Sequence, residues 1–169
     1  AQWTAQQLTP EDVSYLTNLP EILTPDGFTL VHGSPRAPIW EYLLSTQAAW
    51  DNFQLLQTSF CLVGHSHRPL LFEYLGAAQE CTFRQLTSGD ELELDKRHLI
   101  INVGGVGQPR DGDRRASYAI LESDAQEITF IRVAYPYQQT AHRLLEKGYP
   151  EGLARKLIDA PPVREMPKK

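Results

Sequence analysis

Apolar positions fall in short runs cut by Gly, Pro, Asp and Ser, a pattern of many strands framed by helices at both ends of the chain. Thr9-Pro10-Glu11-Asp12 places a capping hydroxyl before a proline and two acids, so residues 10–19 are expected as a short helix ended by Pro20. The runs Glu21-Ile22-Leu23 and Phe28–Val31 flank Pro25-Asp26-Gly27 and read as a hairpin. Residues 46–57 carry helical spacing with Ala49, Phe53 and Leu56 on one face. Phe60–Val63 is a continuous apolar run bounded by Gly64, the signature of a buried strand. Further strands are expected at 70–75, 80–86, 91–95, 98–103, 116–123 and 127–135, mostly antiparallel, with turns at Ser88-Gly89-Asp90 and Asp111-Gly112-Asp113. Helical spacing returns at 137–147 and 150–159 with Gly148 between them, and residues 161–169 read as a flexible tail.

Length and composition narrow the class. The 169 residues, 41% hydrophobic, suffice for one core, so residues 1–160 are expected as a single domain or part of one. A net charge of −5 and the absence of a Lys/Arg run argue against a bulk nucleic-acid partner. Cys61 and Cys81 are too few for a disulfide framework and point to a reducing, cytoplasmic setting. No stretch approaches the roughly 20 apolar residues of a membrane span, so no membrane association is expected.

The candidate chemistry lies in the histidines. His32 follows one apolar strand and His65-Ser66-His67 follows another, each in a Gly- or Pro-punctuated loop. If residues 65–67 are extended, positions i and i+2 project to the same side, which suits a metal. A bare His-x-His also occurs as an ordinary turn or surface feature, and on the residues alone both readings stand.

VHGS at 31–34, GHSH at 64–67 and INVGGVGQPRDGDRRASYAILE at 101–122 appear in that order. Together they resemble the Val-His-Gly, Gly-His-Thr-His and Ile-Asn-Pro-Gly-Ser-Val-Gly-Gln-Pro-Arg-Asp-Gly-Asp segments of calcineurin-like metallophosphoesterases, the last typical of one bacterial branch. The resemblance continues through Arg132–Tyr137 into the closing helices and implies an α/β (α+β) fold, a metallophosphoesterase-type β-sandwich flanked by helices. It implies metal-dependent hydrolysis of phosphate mono- or diesters at a dinuclear centre, with His32 and His65 on one ion and His67 on the other. The expected cofactors are two divalent ions, Mn, Fe, Zn, Ni or Co, and the expected substrate is a phosphorylated small molecule or other phosphoester.

Two departures qualify that expectation. Val103 and Gly105 stand where Pro and Ser are commoner, and the early Asp-x-His, Gly-Asp-x-x-Asp and Gly-Asn-His-Asp/Glu motifs do not occur in these 169 residues. The chain therefore reads as a C-terminal portion of the domain, and the general-acid histidine is expected outside it. Imidazoles are neutral and do not offset two dications, so this portion by itself suits at most a mononuclear site. The alternative is a non-catalytic scaffold of the same fold. A complementing N-terminal segment or a homo-oligomer would cover the exposed edges of an incomplete sandwich. Softer candidates remain. Arg110 could clamp a phosphate, and Gly104 and Gly105 could offer backbone N–H groups to one, although glycines more often serve turn geometry. Arg36 reads as a surface ion-pair residue, Asp111 and Asp113 as turn residues, and Trp3, Trp40 and Trp50 as core or interface aromatics.

Overall fold

Strands buried on both faces need an apolar residue at nearly every position, and the three central runs of this chain meet that condition. The computed structural model describes residues 2–76, 81–95 and 97–158, and the expected tail at 161–169 lies outside them. The elements in chain order are helices α1 (Gln2–Gln7) and α2 (Pro10–Thr17), strands β1 (Ile22–Leu23) and β2 (Phe28–Val31), and helix α3 (Thr46–Phe53). There follow β3 (Phe60–Val63), β4 (Pro69–Tyr74), β5 (Cys81–Gln85), β6 (Glu91–Glu93), β7 (His98–Val103), β8 (Ala116–Glu122) and β9 (Glu127–Val133). Helices α4 (Tyr137–Glu146) and α5 (Glu151–Ile158) close the described part.

The strands form a six-stranded sheet in the order β1-β2-β3-β7-β4-β5 and a three-stranded sheet in the order β6-β9-β8. Side-chain alternation in the large sheet sends Phe60, Leu99, Ile101 and Leu71 to one core, where Ile128 and Phe130 of the small sheet meet them. The intervening Cys61, Val63, Ile100, Leu70 and Phe72 face the other way onto Ala49 and Phe53 of α3. The result is an α/β sandwich with α3 on its outer face, as the resemblance implies. α4 and α5 pack on each other through Ala141, Ala154 and Leu157, and α1 and α2 contribute no buried residue.

Several expectations change. The apolar spacing near the N-terminus gave no sign of α1, and the helix expected over 46–57 ends at Phe53. α2 starts as expected, with Thr9 and Asp12 in a reciprocal capping box. The hairpin forms, pairing Ile22 with Val31 and Leu23 with Leu30 around the left-handed Asp26 and Gly27. The larger correction concerns direction: β2, β3 and β7 run parallel, with Leu30 beside Leu62 and Leu62 beside Ile101. Periodicity reports which face a residue occupies and says nothing of strand direction; the connection through α3 is what allows the parallel pairing. Cys61 and Cys81 are free thiols, and burial pushes Cys61 up to about 12. Among the described residues no helix is long and apolar enough to cross a membrane.

Candidate metal centre

Because β2, β3 and β7 are parallel and in near-level register, their C-terminal ends lie side by side. Loops at such ends collect residues from distant parts of the chain. Here they bring together His32 after β2, Gly64–His67 after β3, and Gly104–Asp113 after β7. The Gly64 N–H donates to the carbonyl of His32 at 2.9 Å, which ties the first two loops together.

The histidine turn is not extended. His65 and His67 both occupy the left-handed region, at φ 56° and 53°, and the Ser66 N–H donates to the Gly64 carbonyl at 2.5 Å. The argument from strand alternation is therefore replaced by a turn, whose two non-glycine left-handed residues each carry a strain of about 1–2 kcal/mol. His32 Nε2 lies 2.9 Å from His65 Nδ1, with the ring planes at 63°. Two facing nitrogens are satisfied by one proton between them or by one cation in front of both. His65 is held below its ordinary pKa, first by burial and then by electrostatic repulsion from His32 and Arg110, so its neutral form is favoured. His67 turns its Nδ1 to the loop after β7, 3.0 Å from the carbonyl oxygens of both Gly107 and Gln108. A carbonyl only accepts, so Nδ1 carries a proton, which in the neutral ring leaves the lone pair on Nε2, an arrangement common behind metal-bound imidazoles.

No three His, Cys, Asp or Glu side chains converge as a metal-holding group among the described residues. The carboxylates of the loop after β7 are engaged elsewhere: Asp111 pairs with Arg132, and Asp113 pairs with Arg115 at 2.6 Å and with Arg132 at 3.4 Å. Their reading as turn residues holds, with Gly112 between them at φ 90°. The proposal of Gly104 and Gly105 as phosphate donors is corrected. The Gly104 N–H already donates to Asn102 Oδ1 at 2.9 Å and the Gly105 N–H to Ser117 Oγ at 2.8 Å. A Cβ on Gly104 would sit 2.2 Å from Ser117 Oγ, so this glycine serves close packing.

Arg110 does reach the site. Its Nη1 donates to the Tyr42 hydroxyl at 3.1 Å, and Tyr42 stacks on His65 with ring centroids 4.0 Å apart and planes 17° apart. Arg36 behaves as expected, pairing with Glu41 and Asp51. Trp50 stacks on Tyr74 and Trp3 packs against Tyr149, but Trp40 is 79% exposed and is no core aromatic. Tyr42 and Asn102 are site residues that the motif reading passed over. Asn102, a polar residue inside the apolar run 98–103, was the available signal; Tyr42 had none.

The loop that carries Tyr42 is built around Glu41. Ser34, Arg36 and Asn52 all donate to the Glu41 carboxylate, and Leu43 on the other side of Tyr42 is fully buried. Burial works to raise the Glu41 pKa, but the three donors outweigh it and lower it from 4.5 to about 2. A depressed carboxylate contributes stability that is complete above its unfolded value and is lost as pH falls through the folded one. Glu41→Gln is therefore expected to lower stability by roughly 1–3 kcal/mol near neutrality. That deficit should shrink as pH drops from 4.5 toward 2, which melting curves of both proteins across this range would measure.

A crystal structure of a metallophosphoesterase from Sphaerobacter thermophilus is similar at TM-score 0.88 and 44% identity, over 93% of this chain and 64% of that one. An uncharacterized protein of Methanocaldococcus jannaschii is 32% identical over 161 residues, 92% of this chain and 63% of that protein. No protein-family model matches. The chain thus spans a little under two thirds of the length of each of these relatives.

Proposed function

We propose that the full-length protein hydrolyses phosphate mono- or diesters at a dinuclear divalent-metal centre to which His32, His65 and His67 contribute ligands, a reading supported by the chain's similarity to a metallophosphoesterase. The observation that carries this reading is the convergence of the three motif loops at parallel strand ends, with His32 Nε2 and His65 Nδ1 2.9 Å apart.

The donor set fits a borderline ion. His32 and His65 offer two nitrogens toward one point, and the carbonyls of Gly107 and Gln108 fix His67 in the tautomer whose Nε2 ligates. Mn, Fe, Zn, Ni and Co all accept imidazole. Bound there, such ions supply Lewis acidity to the phosphoryl oxygens and activation of water. The residues of this chain hold neutral ligands in place, keep His65 in its basic form, and bring the Arg110 cation to the edge of the site. The carboxylates and the acid that complete the reaction are assigned to the part of the relatives that this chain does not span.

The test is to strip the full-length protein with a chelator and titrate Mn²⁺ and Zn²⁺ back while following aryl phosphate ester turnover. Turnover is expected to vanish with the metal and return with it. Metal binding without turnover would replace this reading with the scaffold alternative, and neither binding nor turnover would overturn it.

A further inference from the structure

We propose that Tyr42 is a positioning residue that holds Arg110 to receive a terminal phosphoryl group, and that this pair biases the site toward phosphate monoesters. The proposal rests on the reading of the histidines as a phosphoesterase site.

Arg110 differs from the chain's structural arginines. Arg36, Arg97, Arg115 and Arg132 each meet at least one carboxylate, whereas among the described residues none lies within ion-pair distance of Arg110. Its contacts are of another kind. The guanidinium donates to the Tyr42 hydroxyl at 3.1 Å and its Cζ lies 5.7 Å from the Tyr42 ring centroid. Its backbone is held as well: the Arg110 N–H donates to the His67 carbonyl at 3.4 Å, and its own carbonyl accepts from Arg68 Nε at 3.0 Å. A cation with no counter-charge among the described residues, tied through Tyr42 to His65 and through its backbone to His67, is an anion-binding group.

Tyr42 is placed with equal care. Its neighbours are fixed on both sides, Glu41 by three donors and Leu43 by full burial, and the loop is closed by the Gly33 N–H donating to Pro38 O at 2.6 Å. A Cβ on Gly33 would lie 2.8 Å from Ala37 O, so only glycine permits that closure. The ring is pinned on His65 while 42% of Tyr42 stays exposed. The hydroxyl thereby fixes one edge of Arg110 and leaves its remaining N–H groups for an incoming oxyanion.

The preference for monoesters follows from counting oxygens. A guanidinium fork engages two non-bridging oxygens of a phosphate. A monoester has three, so one remains for the histidine-held centre; a diester has two, and the fork would take both. Arg110 therefore assists monoesters more than diesters.

The experiment uses the full-length protein and the variants Tyr42→Phe, Tyr42→Leu and Arg110→Gln, with folding checked by circular dichroism. Inorganic phosphate affinity, read by calorimetry without turnover, is expected to weaken about threefold to tenfold in Tyr42→Phe, which keeps the stack and loses the hydroxyl. In Arg110→Gln the loss should reach about tenfold to a hundredfold. In kinetics on aryl mono- and diesters, Tyr42→Phe should raise monoester KM more than it lowers kcat. The monoester-to-diester ratio of kcat/KM should fall in all three variants. Wild-type turnover with unchanged phosphate affinity and an unchanged ratio in the variants would overturn this proposal and leave the phosphoesterase reading standing. Phosphate binding that depends on Tyr42 and Arg110 in a protein without turnover would do the reverse. A wild-type protein that binds no phosphate would overturn the proposal outright.

Discussion

Arg132→Ala is expected to destabilise the fold by about 3–5 kcal/mol, the size typical of breaking one side of a buried ion pair. The side chains of Arg132, Asp111 and Asp113 are only 4%, 3% and 8% exposed. Arg132 pairs with both carboxylates, reaches toward the carbonyls of Asp113 and Arg115 at 3.5 and 3.4 Å, and lies over the Phe130 ring. Removing the cation leaves two buried carboxylates, of which Asp113 keeps Arg115 alone. Surface pairs give the contrast. Arg155–Glu151 has both side chains 66% exposed, and Arg155→Ala should shift stability by no more than about 1 kcal/mol.

Chemical denaturation of the variants would separate the worth of the network from the penalty of breaking it. Arg132→Met combined with Asp111→Asn and Asp113→Asn removes all the buried charge at once and should recover most of the loss. If Arg132→Ala alone proved neutral, the loop from Gly105 to Arg115 would be anchored by its backbone contacts, chief among them the Ser117 N–H on Gly105 O at 3.0 Å. The network matters to the site because this loop carries Arg110 and the two carbonyls that set the His67 tautomer.

The sequence disclosed the elements of this site more readily than their arrangement. The strand 60–63 and its following histidines were legible because a buried strand leaves a continuous apolar run and a glycine ends it. Parallel pairing was not legible, since a strand buried on both faces looks the same in either direction. The turn at 65–67 was misread as extended because two histidines in the left-handed region break a backbone preference that composition does not signal. Tyr42 stayed hidden for another reason. Its role depends on a contact with Arg110, 68 positions away, and exposed aromatics carry no pattern of their own. The glycines at 104 and 105 invited a phosphate-binding reading until their N–H groups were traced to Asn102 and Ser117, which shows why backbone donors must be accounted for one by one.

Asn102 joins the loops after β3 and β7, and Asn102→Leu is expected to cost about 3–5 kcal/mol, since each buried group left without its partner carries about 1–3 kcal/mol. The side chain is fully buried at the end of a strand whose other inward positions are leucine and isoleucine. Its Nδ2 donates to the Gly64 carbonyl at 2.5 Å and to Ser66 Oγ at 2.9 Å, while its Oδ1 accepts from the Gly104 N–H. An amide offers both donor and acceptor in one plane. Leucine keeps its branched outline and satisfies neither, and aspartate would keep the acceptor for Gly104 but oppose the Gly64 carbonyl with a second acceptor. Both variants should melt well below the wild type. Gly64 and Ser66 flank His65, so on the proposed function, in which His65 holds a metal, metal affinity should also weaken by about tenfold or more, as expected of a residue supporting a ligand from behind. A melting loss without any loss of metal affinity would confine Asn102 to folding. Loss of both would tie the strain of the histidine turn to the one buried amide that holds it.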